Sequence, residues 1–368
     1  MRALPLNLFM TTDAVGGVFT YALDLARALA PMGVRTTLAV LGPGLSEAQF
    51  AAAQAIEGVE LRETGLPLDW LTRSPEETSA AAGRVAALAR ASRADLVHLN
   101  SPTYALADFS APVVCAVHSC VASWLLAVED APLAGDFLWR TRMLRDALSR
   151  ADAVLCPTRA YAAVLSDLYR IAPFVVHNGR SAPPPRYGGG PAAYALSAGR
   201  LWDRGKNAAT LDSAAAAMRV PLRLAGPCGG PDGCGERFSA RHARLLGPLD
   251  SAVLRQMLAE RPIFVSAAIY EPFGLSALEA AQAGCPLVLS DIETFRELWH
   301  GAALFVPPRL PRGFADAVNQ IADDPALRTR MGEAATARAA DYSATAMAEA
   351  TAAIYRSALA RRSTGAVA

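Results

Sequence analysis

The chain alternates short, almost wholly apolar runs with longer stretches in which apolar residues recur every three or four positions. In the first half the short runs are "LPLNLFM", "TTLAVLG", "ADLVHLN", "APVVCAVH" and "DAVLCPT". In the second they are "AYALSAG", "PLRLAG", "ARLLG", "PIFVS", "PLVLS" and "AALFV". A strand covered on both faces needs no polar alternation, so these runs predict buried strands. Between the first two lies "FTYALDLARALAPMG", apolar at helical spacing and closed by Gly33. Strands alternating with helices from end to end predict an α/β chain with parallel, helix-covered sheets.

A length of 368 residues exceeds one compact core and points to two doubly wound, Rossmann-like domains. The segment "RSAPPPRYGGGP", residues 180–191, cannot continue a helix or a central strand and reads as the linker. The expected division is residues 1–180, a linker at 181–191, a second domain at 192–342 and a terminal helix at 343–368. That helix, within "DYSATAMAEATAAIYRSALARR", either caps the chain where it stands or crosses back onto the first domain. Ligands are expected at strand carboxyl ends, in a cleft between the domains.

Composition narrows the class. A hydrophobic fraction of 52% with 19% charged residues suits globular cores. A net charge of +1 without a basic run argues against a nucleic-acid partner. The opening "MRALPLNLFMTTDAVGG" reads as a strand and a Gly turn, not an export signal, and no apolar stretch is long enough to span a bilayer. A cytoplasmic protein is therefore expected, with peripheral membrane contact left open and the oligomeric state undefined. Six cysteines in a chain this long do not form a disulfide scaffold; Cys228 and Cys234 in "CGGPDGC" lack a second pair at metal-ligand spacing. All basic residues are arginine except one, Lys206.

Four stretches could carry chemistry. In "YEPFGLSALEAAQAGCPLVLSD", Glu271 and Glu279 flank the start of a helix whose first amides, at Gly274, Leu275 and Ser276, lack intrahelical partners and favour an anion. Glu271 could accept hydroxyls of a polyol and Glu279 could hold a vicinal diol; equally, the first could complement the helix dipole and the second sit in solvent. In "SAGRLWDRGKN", Arg200 and Lys206 share a loop suited to a diphosphate, or to a plain exposed basic turn. In "TTDAVGGVFTYALDLA", Gly16 and Gly17 separate the first strand from the first helix, as a tight turn or a place where amides meet ligand oxygens. His118 ends the strand "APVVCAVH" and could bond a ligand hydroxyl or neighbouring backbone, whereas His98 and His177 read as structural. There is no dinucleotide fingerprint, no D-x-D pair, no H-E-x-x-H and no G-x-S-x-G.

Taken together, Gly16-Gly17, His118, "GRLWDRGKN" and "EPFGLSALEAAQAGCPLVLSD...FRELW" resemble the retaining, nucleotide-sugar-dependent glycosyltransferases of GT-B fold, the glycosyl transferases group 1. The resemblance covers almost the whole chain and is thinnest over residues 44–92 and 121–150. It implies that Glu271, with the backbone of Phe273 and Gly274, holds the donor sugar; that Leu275 and Ser276 amides meet the diphosphate; and that Glu279 binds the ribose diol. It further implies that Arg200 and Lys206 neutralise the departing diphosphate, that Gly16 and Gly17 close over the site, and that His118 contacts the sugar near its C6 hydroxyl. The loop around "LLGPLD" would meet the base. No metal and no cofactor are implied; the partners are a nucleoside-diphosphate sugar of UDP or GDP type and an acceptor hydroxyl on a saccharide, a lipid-linked group or a small molecule. Ser119 stands where an acid is common, and "HNGRS" where the family's linker strand often ends P-N-G-V-D. A nucleotide-sugar epimerase of the same fold, or a silent nucleotide-sugar binder, is the alternative.

Overall fold

The computed structural model describes residues 3–129, 135–181, 191–230 and 237–365. Most of the expected linker, and Cys234, lie outside the described residues. The chain divides into two compact units, residues 1–126, 130–179 and 344–368 in the first and 127–129 and 180–343 in the second.

The first unit holds a seven-stranded sheet built from β1 (Leu6–Asp13), β2 (Val34–Leu41), β3 (Val59–Glu63), β4 (Leu96–Leu99), β5 (Val113–Ala116), β6 (Ala153–Cys156) and β7 (Phe174–Val175). Their spatial order is β3-β2-β1-β4-β5-β6-β7, with every pairing parallel. The chain winds outward from β1 in one direction, then returns and winds out in the other. The carboxyl ends of β1 and β4 therefore flank the crevice where such sheets bind ligands. Strands β4, β5 and β6 are buried at every position, as expected of apolar runs covered by helices on both faces. Met347, Ala348, Ala352, Tyr355 and Ala358 of the terminal helix (Ala344–Gly365) belong to this unit's core, beside Tyr21 and Leu25 of the helix Gly17–Leu29.

The second unit repeats the plan in six strands: β8 (Ala195–Ala198), β9 (Leu222–Ala225), β10 (Arg244–Gly247), β11 (Ile263–Ser266), β12 (Leu287–Ser290) and β13 (Ala303–Val306). Their order is β10-β9-β8-β11-β12-β13, again all parallel. Two apolar clusters cover its faces, one around Phe264, Phe295 and Trp299, the other around Val265, Phe314 and Ile321. Here β8 and β11 flank the reversal, and the segments that follow them are "GRLWDRGKN" and "AAIYEPFG".

Two strands escape the apolar-run reading. Strand β3, "VELRE", is an edge strand with no fully buried position, and β7 is a two-residue edge. Edge strands need little apolar character, so a search for apolar runs passes over them. Cys115, Cys120, Cys156 and Cys285 are buried free thiols, and burial raises the Cys115 and Cys285 thiols well above their usual range. No helix among the described residues is long and apolar enough to cross a membrane.

Candidate active site

The second unit brings four of the sequence-identified side chains into three ion pairs. After β8 the chain passes Gly199 and enters a short 3-10 turn (Arg204–Lys206) followed by the helix Ala208–Ala215. Gly226 makes that path possible. It sits at φ +137°, and a Cβ there would lie 1.8 Å from the carbonyl oxygen of Gly199, so no side chain fits. The turn is then fastened to the segment after β11: the Gly205 carbonyl accepts from the Ile269 and Tyr270 amides at 2.8 and 3.2 Å. Asn207, itself at φ +53°, donates to the carbonyls of Ala267 and Pro308 at 3.0 and 2.8 Å. One asparagine thus pins three loops together.

That fastening sets Lys206 against Glu271. The Lys206 ammonium donates to Glu271 Oε2, with the side chains about a quarter and an eighth exposed. Arg200 Nη2 donates to Asp203 Oδ2 at 2.8 Å, while Arg200 Nε is buried without a partner among the described residues. Asp203 Oδ1 also accepts from the Gly205 amide at 2.9 Å, so it shapes the turn while orienting the guanidinium.

Glu271 precedes the helix Leu275–Gln282, whose N-cap is Gly274 at φ +89° and ψ +66°. A Cβ on Gly274 would come within 2.9 Å of the Phe295 ring and 3.3 Å of Glu271 Cγ. The cap must be glycine both for its backbone and for the space around it. The Gly274 carbonyl accepts the Ala277 and Leu278 amides, whereas the helix supplies no acceptor for the first-turn amides of Leu275 and Ser276. Thr294 Oγ1 donates to the Glu271 carbonyl at 2.7 Å and holds the approach to this cap. Phe273 is buried beneath it, edge-on to Tyr342. Glu279, one turn in, is not a solvated residue: it is paired with Arg180, whose carbonyl accepts from Gln282 Nε2 at 3.1 Å.

The remaining expected residues lie in the first unit. Gly16 caps the helix Gly17–Leu29 in an extended conformation, and Asp13 Oδ1 accepts from the Val15 and Gly16 amides at 3.1 and 3.3 Å. His118 follows β5; its Nε2 bonds Asn100 Oδ1 at 2.7 Å, and the Tyr21 ring lies edge-on to it with centroids 4.4 Å apart. His98, fully buried on β4, bonds the same Asn100 oxygen through Nε2 at 3.2 Å and Tyr355 through Nδ1 at 2.7 Å. Burial lowers both imidazoles, His98 to about 4 and His118 to about 3, so both are neutral near pH 7.

Sequence reading did not find Arg180, Asp203, Asn100 or Tyr355. Arg180 and Asp203 stood inside quoted segments; the partner of Arg180 is 99 positions away, while that of Asp203, only 3 away, lies on a loop, where spacing alone does not show which side chains face each other. Tyr355 reaches His98 across 257 positions.

The two reversal-point parallel sheets, with a glycine-capped helix beside a lysine-bearing loop on the second unit, define a GT-B type molecule. Comparison with known proteins agrees. Residues 15–181 match the family model Glycosyltransferase Family 4 and residues 235–338 match Glycosyl transferases group 1. The chain belongs to the GT-B glycosyltransferases. It is 29% identical to a D-inositol 3-phosphate glycosyltransferase of Kineococcus radiotolerans, over 95% of this chain and 92% of that one. It is also 41% identical to a glycogen synthase of Mycobacterium tuberculosis over 118 residues, a stretch of 31% of this chain and only 28% of the relative's length. Among solved structures, Anabaena Alr3699/HepE in complex with UDP and glucose superposes with a TM-score of 0.73 at 17% identity, over 96% of this chain and all of that one.

Proposed function

We propose that the chain is a retaining, metal-independent hexosyltransferase that takes its sugar from a nucleoside diphosphate of UDP or GDP type and passes it to an acceptor hydroxyl. The Lys206–Glu271 pair beside the Gly274 cap carries this reading. A cation and a carboxylate that neutralise each other at the open end of a helix can each be re-partnered by one ligand. The diphosphate takes the ammonium, the helix amides and Arg200; the sugar hydroxyls take the carboxylate. Glu279 would exchange Arg180 for the ribose diol in the same way. Relatives named for inositol phosphate and glycogen, and a structural neighbour holding UDP and glucose, support the substrate class.

In the reaction the anomeric carbon–oxygen bond to the diphosphate breaks and a bond to the acceptor oxygen forms on the same face. The acceptor's proton passes to the departing phosphate. Negative charge grows on the diphosphate in the transition state, where Lys206, Arg200 and the Leu275 and Ser276 amides would stabilise it. Glu271 binds hydroxyls and is not a glycosidase-type nucleophile.

Thermal-shift screening against nucleoside-diphosphate sugars tests this. One or two UDP- or GDP-sugars should raise the melting temperature, Lys206→Ala should weaken that rise, and slow donor hydrolysis should accompany it. An unchanged rise in Lys206→Ala would remove the phosphate role. Interconversion of the donor sugar without any acceptor would favour the epimerase.

A further inference from the structure

The geometry points to a proton-ordering chain, Thr11–Asn100–His98–Tyr355, that holds His118 as the Nε2–H tautomer and leaves Nδ1 as a hydrogen-bond acceptor for a substrate hydroxyl. The order starts at a main-chain carbonyl on β1. Asn100 Nδ2 lies 2.6 Å from the Thr11 carbonyl oxygen, which can only accept, so the amide nitrogen must face it and Oδ1 must face the two rings. The reverse orientation would press two oxygens together. Thr11 holds the backbone as well, its hydroxyl accepting from the Asn100 and Ser101 amides at 2.9 and 3.4 Å.

Because Asn100 Oδ1 is an acceptor, both Nε2 atoms on it must be donors. Each neutral ring therefore has its other nitrogen bare. On His98 the bare Nδ1 accepts the Tyr355 O–H at 2.7 Å, and Tyr355, pushed far above the usual phenol range by burial, keeps that proton. On His118 the bare Nδ1 has no partner among the described residues, and the edge-on Tyr21 ring fixes the plane in which it points. The outcome is a neutral acceptor at the carboxyl end of β5. Such a nitrogen takes an O–H and repels a carboxylate or phosphate oxygen, so it suits a sugar bearing a hydroxyl there better than its uronate or deoxy counterpart. Asn100, His98 and Tyr355 are positioning residues in this chain.

The use of Nδ1 toward a substrate hydroxyl rests on the glycosyltransferase reading, but the tautomer does not, so the decisive measurement is made without substrate. The full chain, labelled with 15N-histidine, holds only five imidazoles. Two-bond 1H–15N correlation at pH 7, with His118 assigned by its loss in His118→Gln, should place the proton on Nε2 of both His98 and His118. A proton on Nδ1 of His118, or an averaged mixture, overturns the proposal. In Asn100→Ala the His118 pattern should relax to a mixture; retention of the pure Nε2–H form would show that Asn100 does not order it. Should that variant fail to fold, Tyr355→Phe deletes a single hydroxyl and should move the His98 Nδ1 resonance toward that of an unbonded nitrogen. An unmoved resonance would overturn the direction assigned to the chain.

Discussion

Acid should loosen the first unit through one side chain, His98. The ring is fully buried, and burial depresses it from 6.5 to about 4. Between those values the unfolded chain takes up a proton that the native chain refuses, so stability contributed by the neutral ring is complete above pH 6.5 and is lost as pH falls toward 4. Linkage with these two constants gives a loss of about 2 kcal/mol between pH 7.5 and pH 5, and about 3 kcal/mol by pH 4. His118, depressed to about 3, acts in the same direction but is present in both proteins compared below, so it drops out of their difference. His98→Gln removes the titrating ring while keeping an amide near the position of Nε2. The variant will be less stable at every pH, since it loses packing and the Tyr355 bond, but its stability should depend less on pH. Equilibrium urea unfolding of both proteins at pH 7.5 and pH 5 reads the difference: the parent should lose about 2 kcal/mol more than the variant across that interval. Equal losses would mean that His98 is protonated in the native state, and the argument from burial would fail.

Two further outcomes test the second unit. Gly226→Ala places a methyl group 1.8 Å from the Gly199 oxygen and should cost at least about 2 kcal/mol by thermal unfolding, whereas Gly229→Ala, whose Cβ would meet nothing nearer than 4.0 Å, should stay within about 0.5 kcal/mol. Arg180→Ala releases Glu279 from its half-buried ion pair and should tighten nucleoside-diphosphate binding up to about five-fold by titration calorimetry, the ~1 kcal/mol upper value of such pairs; weaker or unchanged binding would detach Glu279 from the diol role.

Apolar runs located the central strands because a strand sandwiched between helices must be apolar on both faces, and the "VLC" of β6 or the "FVS" of β11 can be little else. Gly274 and Lys206 stood out for the same local reason: a helix needs a cap, and a chain that uses arginine almost throughout has one lysine. The edge strand "VELRE" did not stand out, since an edge exposes half its surface and tolerates any alternation. What the sequence alone determined, then, is whatever a residue requires of its immediate neighbours: burial, helix start, turn. What only the tertiary structure decided is partnership. Glu279 could have been solvated or bound, and Arg180 settled it; His98 was read as structural, and Tyr355 and Asn100 turned it into a link that orders a proton. Hydrogen bonds and ion pairs are formed over about 3 Å of space with no regard for separation along the chain, so their partners become legible only once the sheets bring them together.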